Sequence, residues 1–267
     1  MKKFFALAIT LLMCFATCTA ITACDKTVEI DEISIVAPAS TQIKAGETFT
    51  LEYTTVPEDA AEKVKVKWEI SDETKLSYKD GEFTALTCGN VKVTASVRGN
   101  EATDEIELKV TAPDGFKEYS STGYQLVYPS KWTSSKQGKI QTWTASNGTT
   151  NMNITTEDLN KSYFTAPASS FQAVIESTYG LLNFIVDFKQ PVTVKKDKYL
   201  GIERVRVDYI YTLTAGTTTT SISQTQMIIN NADANLSCVL TVTFQEKDFN
   251  EAAEQLQETI FSQFMPA

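Results

Sequence analysis

The sequence predicts two folded domains, an all-β sandwich followed by an α+β domain with an antiparallel sheet. Residues 28–110 contain short runs in which apolar and polar residues alternate, and turn residues separate these runs, as in a β-sandwich. Residues 116–267 combine strand patterns with two helical patterns. Between them, Pro113-Asp114-Gly115 is the clearest interior break, because Pro and Gly interrupt regular structure. We therefore predict a first domain at 24–112 with its core at 28–110, a hinge at 113–115 and a second domain at 116–267.

The N-terminal residues have the pattern of an export signal. Lys2 and Lys3 precede an apolar run that extends to about Ile21. The run ends in Ile21-Thr22-Ala23-Cys24, which resembles the bacterial lipobox. The resemblance implies that residues 1–23 are a lipoprotein signal peptide, that cleavage falls between Ala23 and Cys24, and that Cys24 carries a diacylglyceryl group. An ordinary signal peptide with a chance cysteine, or an uncleaved span, remains open, since about 20 apolar residues cross a bilayer.

Cleavage at this point would change the charge of the chain. It would remove 23 residues with two lysines and no acidic residue, so 244 residues would remain and the net charge would move from -9 to -11. Anionic lipid headgroups repel such an ectodomain, so the lipid on Cys24 would hold it at the membrane. We predict an extracytoplasmic lipoprotein, anchored to the bacterial cell membrane at the cell surface.

The first domain contains a strictly alternating run. Apolar residues at 64, 66, 68 and 70 alternate with Lys63, Lys65, Lys67 and Glu69, which places the apolar side chains, Trp68 among them, on one buried face. An ordered set of short motifs resembles the bacterial immunoglobulin-like domain, group 2: Ala45-Gly46-Glu47-Thr48, Val56-Pro57-Glu58-Asp59-Ala60, residues 66–72, residues 81–86 and residues 89–95. The resemblance implies a sandwich that acts as a spacer or a binding unit.

The second domain contains two helical patterns. One begins near Pro167 and places Phe171, Val174, Ile175, Tyr179 and Leu182 on one stripe. The other runs from Phe249 to Phe264 with an acidic opposite face. The residues Gly123 to Trp132, the pair Leu200-Gly201 and the C-terminal Ile260 to Phe264 resemble the PsbP-like family, named after an extrinsic subunit of photosystem II. This resemblance implies an α/β/α sandwich.

Composition and motifs argue against most catalytic classes. The chain has no histidine, which excludes Ser-His-Asp triads and imidazole metal ligands. Phosphate-binding glycine loops, Ser-x-x-Lys and G-x-S-x-G are also missing. Paired carboxylates could still hydrolyse a glycoside. We predict no metal and no cofactor, although oxygen atoms near Asp233 and Asn235 leave calcium open.

The two remaining cysteines and the few arginines limit the partners. Cys88 and Cys238 fall in different predicted domains, so we expect both to be free, buried and apolar in character. With only three arginines in an acidic chain, we predict no nucleic-acid binding. Trp143 lies between two threonines in a polar strand, and an exposed aromatic ring there could contact a ligand.

The leading hypothesis is a non-enzymatic binding, adhesion or scaffold lipoprotein. Its partners would be the membrane, through the lipid on Cys24, and an envelope protein or polysaccharide. A His-independent, carboxylate-based hydrolase acting on envelope polymers is one alternative. An accessory subunit of a membrane complex is the other, and it follows from the family resemblance.

Overall fold

The computed structural model describes residues 29–267, so the predicted signal peptide, Ala23 and Cys24 lie outside the described residues. The chain from 29 to 111 forms nine strands: β1 (Glu32–Val36), β2 (Gln42–Lys44), β3 (Thr48–Phe49), β4 (Glu52–Val56), β5 (Val66–Ile70), β6 (Leu76–Lys79), β7 (Glu82–Ala85), β8 (Gly89–Val97) and β9 (Thr103–Thr111). None of the helices in the described part is long and apolar enough to cross a membrane.

These nine strands form three small sheets around a shared interior. Their strand orders are β2-β9-β8-β5, β3-β7-β6 and β1-β4, and only the β2-β9 pair is parallel. Leu76, Phe83, Val93 and Val110 are fully buried between the first two sheets. The alternation predicted around β5 is confirmed, because Lys67 and Glu69 are exposed and Trp68 packs against the core.

The remaining chain forms ten strands and two α-helices: β10 (Phe116–Ser121), β11 (Tyr124–Pro129), β12 (Thr133–Gln137), β13 (Ile140–Thr144), β14 (Asn151–Asp158), α1 (Ala168–Gly180), β15 (Ile185–Phe188), β16 (Thr193–Tyr199), β17 (Ile202–Ala215), β18 (Thr218–Asn231), β19 (Leu236–Gln245) and α2 (Glu251–Ser262). Eight strands make one antiparallel sheet in the order β12-β13-β14-β19-β18-β17-β15, with β16 also paired to β17. The hairpin β10-β11 is a separate two-stranded sheet.

The two faces of the large sheet are covered differently. Phe171 and Ile175 of α1 pack on one face, against Val205 and Tyr211 among others. On the other face, α2 and the β10-β11 hairpin pack over a second cluster that contains Leu240. Asn250 caps α2, since its Oδ1 accepts a hydrogen bond from the Ala253 amide at 3.1 Å.

The predicted α/β/α sandwich is wrong. The described residues are mostly β-strand, arranged in several sheets, and their two α-helices have only 13 and 12 residues. A helical layer needs several helices side by side, whereas here a β-hairpin covers part of the face on which α2 lies. The chain is therefore a mostly β protein.

The predicted stripe of α1 also needs correction. The helix begins after Pro167 as predicted, and its inward stripe runs through Phe171, Ile175 and Tyr179. Val174 and Leu182 lie outside that stripe and are exposed. A helix that contacts one narrow strip of a sheet buries residues four apart and leaves the flanking positions in solvent.

A buried polar contact joins the two parts of the chain. The side chain of Gln263, directly after α2, is 5% exposed. Its Nε2 donates to the Leu86 carbonyl at 2.7 Å, and its Oε1 accepts from the Cys88 amide at 3.1 Å. Gln125 Nε2 donates to the Cys88 carbonyl at 3.0 Å. The predicted hinge at 113–115 lies between β9 and β10, and this contact is a second link between the two parts of the chain.

The start of the described chain lies far from this contact. Asn100, in the turn after β8, donates from Nδ2 to the Ile30 carbonyl at 2.8 Å. The other end of β8 is Gly89, beside the contact with Gln263. Nine residues of strand at about 3.3 Å each separate these ends by roughly 26 Å. Residue 30 and the second part therefore lie at opposite ends of the first part.

Candidate functional site

Trp143, the predicted ligand contact, is a core residue. Its side chain is 1% exposed, and its ring lies 4.9 Å from the Tyr119 ring and 5.3 Å from the Tyr128 ring, measured between centroids. Successive residues of a strand face opposite sides of the sheet, so the polar neighbours Thr142 and Thr144 point away from the ring. The structure corrects the prediction: this ring cannot stack on a ligand at the surface.

The other predicted positions divide into two groups. Cys24 and Ala23 lie outside the described residues. Cys88 and Cys238 are free and buried, as predicted. Burial raises the pKa of the Cys88 thiol to about 12 and that of the Cys238 thiol to about 11, because a thiolate loses its solvation there. Both thiols therefore stay protonated near neutral pH.

A groove lies on the open side of the first part, between the edge strands β5 and β6. It has a volume of about 660 Å³, which falls in the range of ligand-binding clefts. We call it the sandwich groove. Its lining residues are Lys67, Trp68, Glu69, Ile70, Glu73, Ser77, Tyr78, Leu86 and Leu200.

Two aromatic rings line the sandwich groove. The centroids of Trp68 and Tyr78 are 6.4 Å apart, with the ring planes tilted by 56°. Both rings rest on Phe83, at 5.5 Å from Trp68 and 4.6 Å from Tyr78. Phe83 is fully buried, so it fixes their positions from below. Tyr78 remains 40% exposed and offers ring surface to solvent.

Leu200, from the second part, also lines the sandwich groove. It occupies the β16-β17 turn with φ +47°, in the left-handed region that favours glycine. The other non-glycine residues with positive φ in the described range are Asp80, Asn183 and Asn235, whose side chains tolerate this conformation. Leucine at such a position carries backbone strain, and strain of this kind clusters at functional sites.

The polar groups of the groove have little net charge. Lys67 Nζ lies 2.5 Å from Glu69 Oε1, so this pair is internally neutralised. Glu73 adds one carboxylate and Ser77 adds a hydroxyl. The groove therefore combines apolar rings with both hydrogen-bond donors and acceptors.

Three carboxyl groups elsewhere pair with cations. Two hydrogen bonds from Arg204, from Nε to Oδ1 at 2.9 Å and from Nη2 to Oδ2 at 2.7 Å, lower the pKa of Asp197. Hydrogen bonds from lysines lower the pKa of Asp59 and Glu105 in the same way. Within residues 29–267, no group of three or more His, Cys, Asp and Glu side chains is placed to hold a metal ion.

A second surface feature lies on the far side of the second part. Four large aliphatic side chains, in α1, in the turn after it and at the start of β15, are exposed: Val174 (61%), Leu181 (82%), Leu182 (61%) and Ile185 (70%). We call them the distal aliphatic patch. Ile185 pairs with Thr214, twelve residues along β17 from Ile202, which follows Leu200 and Gly201 at the sandwich groove. At about 3.3 Å per residue, roughly 40 Å of strand separates the patch from that groove.

Sequence reasoning missed both surfaces. The patch was hidden because the spacing of Val174 and Leu182 matches a buried helical stripe. The groove depends on residues far apart in the chain. One signal was available: leucine precedes glycine in the turn at 200–201, where asparagine or glycine is usual.

Comparison with known proteins gives structural similarity only. No protein-family model matches the chain, and no curated protein matches it. The chain is similar in structure to a cyanobacterial PsbP. This PsbP, from Synechocystis sp. PCC 6803, matches with a TM-score of 0.45 and 12% identity, over 58% of this chain and 94% of that one.

Two further structures match less well. A protein from Bacteroides thetaiotaomicron matches with a TM-score of 0.28 and 13% identity, over 57% of this chain and 49% of its own. A Pseudomonas aeruginosa protein of unknown function matches with a TM-score of 0.33 and 14% identity, over 57% of this chain and 97% of its own. All three TM-scores are below 0.5, so these similarities say nothing about the function of the chain.

Proposed function

We propose that the chain is an extracytoplasmic lipoprotein that binds an envelope protein without catalysing a reaction. In this proposal Cys24 carries the lipid, and the first part is an immunoglobulin-like spacer. The second part, a PsbP-like domain, is the scaffold that presents a binding surface. The observation that carries the proposal is the placement of residue 30 and the second part at opposite ends of the first part.

The proposed anchor makes this placement useful. Only four residues separate Cys24 from Glu29, the first described residue, so that end of the sandwich would stand close to the membrane. The sandwich then holds the second part about 26 Å further out. The contact of Gln263 with Leu86 and Cys88 keeps the second part docked in that position.

The distal aliphatic patch is the surface that we assign to the partner. Contact between water and four exposed aliphatic side chains is unfavourable in free energy, so such patches mark interaction sites. A polysaccharide offers too few apolar groups to match them. The membrane lies toward the other end of the first part in this proposal. An apolar surface of an envelope protein is the occupant that remains.

The state of the carboxyl groups supports a non-enzymatic role. A carboxylic acid that protonates a glycosidic oxygen needs a raised pKa. The pKa values of Asp59, Glu105 and Asp197 are instead lowered by their cationic partners. These three groups serve as ion pairs, so none of them is suited to be such an acid.

Replacing Cys24 by serine tests the anchor. The variant should move from the membrane fraction to the soluble fraction, because two acyl chains hold the chain through about 0.8 kcal/mol per buried methylene. Fractionation and immunoblotting of cells measure this change. Cys18→Ser is the matched control and should stay at the membrane. A Cys24→Ser variant that remains in the membrane at the size of the chain from residue 24 would contradict the lipid anchor.

A double variant tests the distal aliphatic patch. We expect Leu182→Ser/Ile185→Ser to lose at least about tenfold of its retention of an envelope protein, since each buried aliphatic side chain contributes about 1.5–3 kcal/mol. The measurement is crosslinking and quantitative pull-down from solubilised envelopes with the chain from residue 24. Ile140→Ser, an exposed residue on β13, is the control and should retain the partner. Equal retention by both variants would contradict the assignment of this surface.

A further inference from the structure

We propose that the sandwich groove binds an uncharged saccharide chain. This site goes beyond the proposed function, which requires only the anchor, the spacer and the distal aliphatic patch. The groove lies about 40 Å of strand away from that patch, so the two sites are separate. Its rings, its polar groups and its charge each point to the same class of ligand.

The rings match the apolar side of a sugar. A pyranose ring carries C–H groups on its face and hydroxyl groups around its edge, so it covers an aromatic ring while its hydroxyls reach polar neighbours. Trp68 and Tyr78 lie 6.4 Å apart and are both supported by the buried Phe83. Such rings are already ordered before the ligand arrives, which lowers the entropic cost of binding.

The polar groups match the hydroxyls of a sugar. Each hydroxyl both donates and accepts a hydrogen bond. The Glu73 carboxylate accepts, and the Ser77 hydroxyl both donates and accepts. Lys67 and Glu69 border the groove as an ion pair on the solvent face of β5, the face opposite Trp68.

The charge of the groove selects against acidic polymers. Lys67 is paired with Glu69 at 2.5 Å, and Glu73 leaves one negative charge. The whole chain is also acidic, with a net charge of -9. A polymer of uronic acids or phosphates is repelled by both, whereas an uncharged saccharide is not.

Leu200 brings a residue with a strained backbone conformation to the groove. Asparagine or glycine would satisfy a φ of +47° more easily than leucine does. Leucine adds an apolar side chain beside Leu86 and the two rings. We therefore assign its role in the groove to the leucine side chain, which is present although the backbone conformation there is strained.

Calorimetric titration tests the proposal. The chain from residue 24, with Cys24→Ser to prevent acylation, is titrated with the neutral hexasaccharides cellohexaose, xylohexaose, mannohexaose and chitohexaose, and with the acidic hexagalacturonate. At least one neutral hexasaccharide should bind with a Kd of about 1 mM or tighter. Hexagalacturonate should bind at least about tenfold more weakly than that saccharide. If no neutral hexasaccharide binds, or if hexagalacturonate binds as tightly, the proposal is overturned.

Three variants separate a ligand role from a structural one. Tyr78→Ala should weaken binding by about tenfold, because it removes one stacking surface. Leu200→Asn should weaken binding while the melting temperature stays the same or rises, since asparagine relieves the strained backbone. Ile140→Ala, outside the groove, should bind as the unaltered chain does. Unchanged binding by both Tyr78→Ala and Leu200→Asn would overturn the site, and it would leave the distal aliphatic patch and its test unaffected.

Discussion

Trp143→Ala should lower the free energy of unfolding by about 3–5 kcal/mol, the usual cost of truncating a buried large aromatic residue. The indole is 1% exposed, and it contacts the rings of Tyr119 and Tyr128 in the core below the β10-β11 hairpin. Its removal leaves a cavity that the rigid sheet cannot fill. Urea unfolding followed by circular dichroism measures this change.

Thr142→Ala is the matched control for this prediction. Thr142 is the neighbour of Trp143 on β13 and points to the opposite, less buried face. Its replacement should change the stability by no more than about 0.5 kcal/mol. If Trp143→Ala were as stable as this control, the indole would not be part of the core, and a role at the surface would have to be reconsidered.

Gln263→Ala should destabilise the chain by about 2 kcal/mol or more. The substitution leaves the Leu86 carbonyl and the Cys88 amide without their partner, and each buried, unpaired polar group costs about 1–3 kcal/mol. The hydrogen bonds that are lost belong to the contact between the two parts. We therefore also expect limited proteolysis to cut near residues 113–115 faster in the variant.

Gln255→Ala provides the control for the second prediction. Gln255 lies on the exposed face of α2, where the only hydrogen bond of its side chain in the described structure is to the nearby Glu251. Its loss should change stability by no more than about 0.5 kcal/mol. A Gln263→Ala variant that unfolds at the same urea concentration as Gln255→Ala, and is cut no faster, would show that the Gln263 side chain does not hold the two parts together.

The pattern of apolar and polar residues predicted the structure correctly where each face of a strand or helix has a single environment, either core or solvent. Lys67 and Glu69 alternate with half-buried residues on β5, and the structure has the same alternation. Pro167 precedes α1 as expected. The free and buried state of Cys88 and Cys238 also followed, because the two cysteines fall in different parts of the chain and free cysteines are usually buried.

The same pattern predicted residue exposure wrongly where the exposure depends on which other strand or helix packs against the element. Threonines beside Trp143 made β13 look polar, yet alternation turns the indole inward, where the β10-β11 hairpin covers it. The spacing of Val174 fits a buried stripe, but α1 contacts the sheet along Phe171 and Ile175. Strand patterns outnumber helical ones in the second part, so the α/β/α class inferred from family resemblance did not hold.

The sequence alone thus determined the strand alternation, the start of α1 and the inert thiols. Only the tertiary structure decided which residues form the sandwich groove and the distal aliphatic patch. Gln263 reaches Leu86, a residue 177 positions earlier, and Leu200 reaches a groove between β5 and β6. The physical reason is that propensity and periodicity act over a few residues, whereas these contacts form only when separately folded sheets pack together.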